Sequence, residues 1–411
     1  MTLSTDSSTT AVTDSRSHQL IQPLQPIYVE LHVHLDGAIR CTTLYDIAKQ
    51  RNITLPADVY TPHDLLRYVT CSPSCTTLVN FLGTFGILYP IVSGDVDVLE
   101  RIAYEFVVDQ YKSHVYYTEV RYSPHLFTSD TITCNQVIDA INNGFKRGMN
   151  ETGIIVYTLL CCVRDRPDWS MNVVELAVQY QSNGIVGIDI AADELQSTEP
   201  HIAAFDRAYE LGVNITAHAG ECNLASRVGE AIDTLHATRI GHAYACINDS
   251  KVYELVKKTN VHLECCYTSS IHTGATREYM KLLHSANTDD IESKKQLHCN
   301  SIDHSNCPIH YSTIKWHPIQ QFVQDDINFS LSTDDPAISH INLPGDYQRC
   351  INELGISYQH IIRANFNAAK SAFCTQREKQ LIINRLLQHI VPNDILKSIS
   401  TSAEPHNNTQ T

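Results

Sequence analysis

The sequence predicts an α/β fold: a (β/α)8 TIM barrel with extra helices after strand 1 and an insertion between strands 7 and 8. Two observations support this prediction. Short, nearly continuous apolar strands alternate with helical segments along the chain, which is typical of a parallel sheet covered on both faces. The polar motifs cluster where these strands end, and this is the edge at which barrel enzymes place their active sites.

Eight segments have the length and the apolar character of buried strands, and helical segments fit the intervals between them. Eight such units match the repeat of a (β/α)8 barrel. The predicted strands span residues 27–34, 115–121, 154–162, 185–190, 214–219, 239–243, 261–266 and 327–332. The predicted helices include Val96–Ser113, Val173–Ser182, His201–Leu211 and Asp249–Thr259.

Two intervals are too long for a single connecting helix. Residues 41–114 should carry extra helices over the barrel mouth, and the polar, His-rich residues 277–312 should form an insertion on its rim. The termini, residues 1–24 and 396–411, have too little apolar content to join a packed core, so we expect disordered tails. Residues 25–395 then form a single barrel domain.

The composition argues against nucleic acid or a membrane as a partner. The 411-residue chain has a formal net charge of -15, and its Lys and Arg residues are dispersed, whereas both partners require a concentrated basic surface. No apolar run is long enough to span a membrane, and the N-terminal segment lacks the apolar core of a signal peptide. The 14 cysteines have no regular spacing. We therefore expect reduced thiols in a cytoplasmic protein.

The first predicted strand ends in His32-Val33-His34-Leu35-Asp36. Side chains two positions apart share a face of a strand, so both histidines and the aspartate should lie on one face and the two aliphatic side chains on the other. A His-x-His pair alone is weak evidence of a metal site. Its meaning depends on whether matching ligands follow other strands.

Polar side chains do follow three other predicted strands: His218 and Glu221 after the fifth, His242 after the sixth, and Asp334-Asp335 after the eighth. Three histidines and one aspartate suit Zn²⁺ and leave a position for water. Metal coordination lowers the pKa of bound water to roughly 7, and Glu221 and His242 are then candidates for acid and base.

Each of these residues also has an ordinary structural interpretation. Any one of the 21 histidines is more often a surface or core residue than a ligand, and Asp334-Asp335 before Pro336 is compatible with a turn or a helix cap. The joint placement at the ends of four predicted strands favours a site.

Several runs of the chain resemble the adenosine deaminase family, in the same order and over about residues 27–390. Related metal-dependent hydrolases share the barrel and the His-x-His pair but not this full set. The other zinc deaminase pattern pairs H-x-E with P-C-x-x-C; His262-Leu263-Glu264 matches its first half, but the chain has no P-C-x-x-C. The matching runs are Val29–Ala38, Glu119–His125, His218–Glu221, Arg239–His242, Ser330–Pro336 and Asn367–Ser371.

The resemblance implies one Zn²⁺ per chain and a set of catalytic roles. Glu221 should protonate N1 of the purine as C6 is attacked, and His242 should orient the water and take its proton. Asp335 should hydrogen-bond N7, and Asp36 should contact a ribose hydroxyl. An acid near N1 must be protonated, so the pKa of Glu221 should be raised. The implied zinc ligands are His32, His34, His218 and Asp334.

The resemblance also implies that His34 contacts the substrate and that an apolar lid covers the purine. The side chains of Leu78, Phe81, Leu82 and Phe85 are spaced as one face of a helix, and plain packing onto the barrel is the alternative. Ala192 departs from the family, which usually has a glycine there whose N–H contacts the purine. Alanine keeps the N–H but tolerates fewer backbone angles, so affinity or purine selectivity should differ.

The function that the resemblance implies is deamination of adenosine and 2′-deoxyadenosine to inosine and 2′-deoxyinosine in purine salvage. The alternative is deamination of a related 6-aminopurine or N6-modified purine; Asp36 favours a nucleoside over a nucleotide, because a carboxylate repels phosphate. A catalytically silent binding protein on this scaffold would be expected to lose Glu221 or a ligand. We expect a monomer whose partners are a purine nucleoside and water.

The predicted insertion holds Cys299, His304, Cys307 and His310 at spacings that resemble a metal site. A polar loop is the favoured interpretation and a second, structural zinc the alternative. A metal content of one ion per chain would exclude the second zinc.

Overall fold

A computed structural model describes residues 27–71, 77–276 and 316–390. The predicted tails, the insertion at 277–312 and its Cys/His cluster lie outside the described residues. The domain boundaries drawn from them therefore stay predictions.

Eight parallel strands pair in chain order, from β1 with β2 to β7 with β8. A bridge between Val33 and Asp334 connects the segment after β8 to β1. There the N–H of Asp334 donates to the His32 carbonyl at 3.0 Å, and the N–H of His34 donates to the Asp334 carbonyl at 2.8 Å. The sheet is thus a nearly closed barrel, which confirms the predicted fold.

The strands differ from the predicted ones by at most two residues at either end, because buried apolar runs flanked by polar residues mark strands clearly. They are β1 (Tyr28–His34), β2 (Val115–Tyr122), β3 (Ile155–Val163), β4 (Ile185–Ala191), β5 (Asn214–Ala219), β6 (Arg239–His242), β7 (His262–Cys265) and β8 (Phe329–Leu331).

The long interval between β1 and β2 holds five helices, which confirms the expected extra helices. Several helices begin at a side-chain cap: Thr61 and Thr133 form capping boxes with Asp64 and Gln136, which satisfy backbone donors at a helix start. The first five helices are α1 (Cys41–Gln50), α2 (Pro62–Val69), α3 (Leu78–Leu82), α4 (Phe85–Val92) and α5 (Val96–Lys112). The helices that follow are α6 (Cys134–Thr152), α7 (Ser170–Gln179), α8 (Ile202–Glu210), α9 (Ala225–Asp233), α10 (Ser250–Thr259), α11 (Tyr267–His272), α12 (Pro318–Gln324), α13 (Leu343–Leu354), α14 (Tyr358–Ser371) and α15 (Gln376–Ile390).

The prediction that Leu78 to Phe85 share one face of a single helix was wrong in one respect. The helix ends at Leu82, and Gly83 and Thr84 separate α3 from α4. The Thr84 hydroxyl donates to the Phe81 carbonyl at 2.7 Å, which supports the turn. The rings of Phe81 and Phe85 nevertheless lie 6.4 Å apart, so the segment still presents a continuous apolar surface.

The predicted alternation of side chains at the end of β1 is confirmed. Val33 and Leu35 are fully buried in the main hydrophobic core, while the rings of His32 and His34 lie 5.6 Å apart on the other side. At the start of the strand, Val29 packs in a smaller core with residues of α14 and α15. Both cores hold β1 rigidly, which gives the histidines fixed positions.

Two further observations concern the described residues alone. Their cysteines include free thiols, and several of these are buried. None of their helices is long and apolar enough to cross a membrane.

Candidate active site

Side chains from β1, β5 and the segment after β8 converge at the C-terminal end of the barrel. The Nε2 atoms of His34 and His218 lie 3.1 Å apart. Oδ1 of Asp334 lies 3.1 Å from His32 Nε2 and 3.4 Å from His34 Nε2. Ligands about 2.1 Å from a tetrahedral metal ion lie about 3.4 Å from one another. These four residues therefore form a candidate metal site, as predicted.

Two buried carboxylates decide which nitrogens face this cluster. Glu264 Oε2 lies 2.8 Å from Nδ1 of His32, and Asp189 Oδ2 lies 2.9 Å from Nδ1 of His218. Each carboxylate favours a proton on Nδ1 and leaves the lone pair of Nε2 directed into the cluster. The lone pairs of His32 Nε2 and Asp334 Oδ1 then face each other, and a cation or a further proton between them would relieve their repulsion. The residues present fit a divalent metal.

A network of buried ions holds these carboxylates. Arg121 lies 2.7 Å from Asp189 and 2.6 Å from Glu264, while Arg239 lies 2.6 Å from both Glu264 and Glu119. Burial by itself would raise the pKa of Glu264, but the two guanidinium groups hold it well below its usual range. Glu264 is therefore ionised and able to accept from His32.

Glu221 follows β5, and its backbone is anchored by a second buried carboxylate. The N–H groups of Glu221 and Cys222 donate to Glu194 Oε2 at 2.8 and 2.6 Å, and the N–H of Gly220 donates to Oε1. Burial raises the pKa of Glu221 well above its ordinary value, and the charges of Asp334 and Glu194 raise it further. The expected protonated acid at neutral pH follows from this environment.

His242 ends β6 beside this acid. Its Nε2 lies 3.5 Å from Glu221 Oε2 and 4.0 Å from Asp334 Oδ2. Burial lowers the pKa of His242 well below its ordinary value even though Asp334 opposes the shift. The imidazole is therefore neutral near pH 7 and able to accept a proton.

Asp335 lies directly against the backbone of Gly37. A Cβ built on Gly37 would lie 1.7 Å from Asp335 Oδ1, so only glycine allows this approach. Burial raises the pKa of Asp335 well above its ordinary value, and the neighbouring carboxylates of Asp334 and Asp36 raise it further. This environment favours the protonated carboxylic acid, which can donate a hydrogen bond.

Several residues at this end of the barrel have left-handed backbones without being glycine, among them Ala192 (φ +79°), His242 (φ +66°) and Asp334 (φ +66°). Such conformations persist where the surrounding structure imposes them, and they cluster at functional sites. The strain at Ala192 is the physical consequence of the departure noted in the sequence.

A cavity of about 540 Å³ opens beside the cluster, a size typical of small-molecule sites. One wall is polar and the other is apolar. Of the predicted site residues, His32 alone is absent from the lining, since it lies beneath the others. The lining includes His34, Asp36, Leu78, Phe81, Leu82, Phe85, Ala192, His218, Glu221, His242, Asp334 and Asp335.

The sequence alone did not identify five residues that support this site. Glu264 and Asp189 orient the histidines, Glu194 anchors the Glu221 loop, Ser269 donates to Asp334 Oδ2 at 2.6 Å, and Tyr89 donates to Asp36. Glu264 had a signal, because it forms an H-x-E pattern with His262. The others come from distant parts of the chain and had no local signal.

Comparison with known proteins gives a consistent result. A family model described as "Adenosine deaminase" matches residues 28–285 and 286–389. The adenosine deaminase of Danio rerio is 36% identical over 375 residues, covering 88% of this chain and 94% of that protein. The adenosine deaminase of Clostridium botulinum is 30% identical over 359 residues, covering 86% and 96%.

Solved structures share the architecture. An adenine deaminase from Arthrobacter aurescens has a TM-score of 0.71 at 19% identity, covering 88% of this chain and 98% of that one. An Arabidopsis N6-mAMP deaminase has a TM-score of 0.71 at 23% identity with the same coverage. An amidohydrolase from Burkholderia ambifaria, solved with bound Zn, has a TM-score of 0.71 at 19% identity and covers 92% and 93%. At these identities the likeness shows the fold.

Proposed function

This chain belongs to the adenosine deaminase family, and we propose that it converts adenosine and 2′-deoxyadenosine to inosine and 2′-deoxyinosine in purine salvage, with one Zn²⁺ per chain. The family consists of hydrolytic deaminases. The observation that carries the proposal is that Glu221 lines the cavity beside the candidate metal cluster, where burial raises its pKa well above its ordinary value.

The proposed zinc ligands are Nε2 of three histidines and one carboxylate oxygen, a donor set that Zn²⁺ favours. When bound, zinc would lower the pKa of water and supply hydroxide near neutral pH. The ionised network beneath the cluster orients the imidazoles of His32 and His218. The ligands are His32, His34, His218 and Asp334.

Side chains of the protein then donate and accept the protons of the reaction. Attack at C6 of adenine places negative charge on N1, and Glu221 donates its proton there. His242 is neutral and accepts a proton of the attacking water, which it passes to the amino group so that ammonia leaves from C6. The proton that remains on the new hydroxyl returns to Glu221 as the C6 carbonyl forms. N7 of a purine has only a lone pair, so its partner must donate; the neutral carboxyl of Asp335 meets this requirement.

The remaining surfaces of the cavity select the substrate. The apolar wall from α3 and α4 suits the face of a purine and would exclude water during the reaction. The cavity lining includes the carboxyl groups of Asp36, Asp165 and Asp193, and the one guanidinium among its described residues, Arg166, pairs with Asp168 at 2.8 Å. This balance of charge opposes a phosphate and favours a nucleoside over a nucleotide. The cytoplasmic location stays a prediction from composition, and the monomeric state stays an expectation.

The test is ultraviolet monitoring of purine turnover on adenosine, 2′-deoxyadenosine, adenine, AMP and N6-methyladenosine. We expect turnover of the first two, its loss after treatment with a chelator, and its recovery with added zinc. Preference for adenine, AMP or the N6-methylated nucleoside would contradict the proposed substrate. Turnover that survives complete metal removal would contradict the proposed chemistry.

A further inference from the structure

Tyr89 lies on α4 at the edge of the cavity, where its hydroxyl reaches a carboxylate of the site. The phenol donates to Asp36 Oδ2 at 2.5 Å, and the backbone N–H of Gly37 donates to Asp36 Oδ1 at 3.1 Å. Each carboxylate oxygen thus has one donor. Two hydrogen bonds to different oxygens fix the rotation of the carboxylate, and each oxygen keeps a lone pair for another donor.

The phenol ring is itself held in place. It stacks on Phe85 with ring centroids 6.0 Å apart and meets the edge of Phe127 at 5.7 Å. Burial and the neighbouring Asp36 raise the pKa of Tyr89 well above its ordinary value, so the hydroxyl keeps its proton and donates it. Tyr89 is therefore a rigid, permanent donor beside Asp36.

The lid segment is otherwise apolar where it lines the cavity: α3 and α4 contribute Leu78, Phe81, Leu82 and Phe85. Tyr89 is the residue of these two helices that places a hydroxyl there. It connects the lid to the end of the cavity at which Asp36 would meet the sugar.

We propose that Tyr89 is a positioning residue that holds Asp36 as the acceptor for one sugar hydroxyl, and that this pair selects nucleosides carrying that hydroxyl. The inference rests on the proposed function, in which Asp36 contacts the ribose. The new element is that Tyr89, on the lid segment, determines substrate specificity by orienting Asp36.

The test compares the wild type with Tyr89→Phe, which keeps the ring contacts and removes the hydroxyl. We expect KM for adenosine to rise roughly tenfold with little change in kcat, the usual size of the loss of one hydrogen bond to a charged group. Turnover of 5′-deoxy-, 3′-deoxy- and 2′-deoxyadenosine then identifies the hydroxyl. The analogue that lacks it should show the same kcat/KM in both proteins.

Tyr253→Phe is the matched control, since its hydroxyl donates to Asp325 at 2.8 Å and Tyr253 does not line the cavity. It should leave every kinetic constant unchanged. An equal loss of kcat/KM on all substrates with Tyr89→Phe would mean that Tyr89 only packs the lid. An unchanged KM for adenosine would mean that the hydroxyl does not contribute to substrate binding. Either result would overturn the proposal.

The proposed function is judged separately, by turnover of the wild type. If the wild type fails to deaminate adenosine, the same proteins are compared by calorimetric binding of purine riboside and its 5′-, 3′- and 2′-deoxy analogues. A tenfold loss with Tyr89→Phe that disappears for one analogue would still support the pair. A uniform loss, or none, would overturn it.

Discussion

Glu264 Oε2 lies 2.8 Å from Nδ1 of His32, so a carboxylate on β7 determines which imidazole nitrogen of β1 faces the candidate metal site. The same side chain accepts from Arg121, Arg239 and Thr216. Four partners hold it in one orientation. The candidate metal ligands are thus arranged by buried charges below them as much as by the strands that carry them.

Glu264→Gln should weaken metal binding about 10- to 100-fold, because the loss of a carboxylate behind a ligating histidine has an effect of this size. The measurement is competition for zinc with a chromogenic chelator. Glu119→Gln is the control. Glu119 also pairs with Arg239, but it has no contact with His32. An equal loss of affinity in both variants would show that the ion network matters only for stability.

Glu221→Gln should lower kcat by roughly 10²- to 10⁴-fold, the usual contribution of a general acid. The wild type should stay active well above pH 4.5 and lose kcat/KM as the pH rises through the raised pKa of Glu221, because only the protonated form donates. The variant should lack this alkaline loss.

Asp335→Ala should also lose orders of magnitude in turnover, and near-normal rates in either variant would refute the assigned roles.

Gly37→Ala should lower kcat/KM by about 100-fold, since displacing a catalytic group by about 1 Å has this effect and the new Cβ would overlap Asp335 Oδ1. Steady-state kinetics with the metal content measured in parallel would test it. Gly229→Ala on α9 is the control, because the nearest atom to its Cβ would be 3.8 Å away. Full activity of Gly37→Ala would mean that Asp335 does not contact the substrate.

Ala192→Gly should raise the free energy of unfolding by about 1 kcal/mol, because glycine adopts a left-handed backbone without the strain that alanine has there. We also expect a higher kcat/KM for adenosine. Urea denaturation and kinetics would measure both. Ala191→Gly, one residue earlier in β4, is the control and should be destabilising. A lower kcat/KM in Ala192→Gly would mean that the methyl group contributes to substrate binding.

Asp346→Asn should stabilise the protein at pH 8 but not near pH 4. Burial raises the pKa of Asp346 to about 7 although Thr268 and Arg349 oppose the shift. The folded state therefore binds this proton more tightly than the unfolded state, and the associated stability is lost as pH rises from about 4 through about 7. The loss at pH 8 is about 4 kcal/mol. The measurement is the unfolding free energy of both proteins at both pH values. The difference between variant and wild type should change by this amount. A constant difference would contradict the assignment.

The strands and most site residues were predictable because their signals are local. An apolar run of strand length identifies β1, and alternation along it separates His32 and His34 from Val33. The break between α3 and α4 was missed, because the spacing of Leu78 and Phe85 fits a helix whether or not a turn interrupts it. Glu194 and Tyr89 were missed because their partners lie 27 and 53 residues away along the chain.

The sequence by itself determined the barrel, the residues of the candidate metal site, and the groups placed at each strand end, since these follow from side-chain chemistry and short-range periodicity. Tertiary structure alone decided the protonation states. Burial raises the pKa of Glu221 and Asp335 and lowers that of His242, while paired guanidinium groups hold the pKa of Glu264 well below its usual range. A pKa depends on the solvent and charges around a group, and strands distant in sequence supply both.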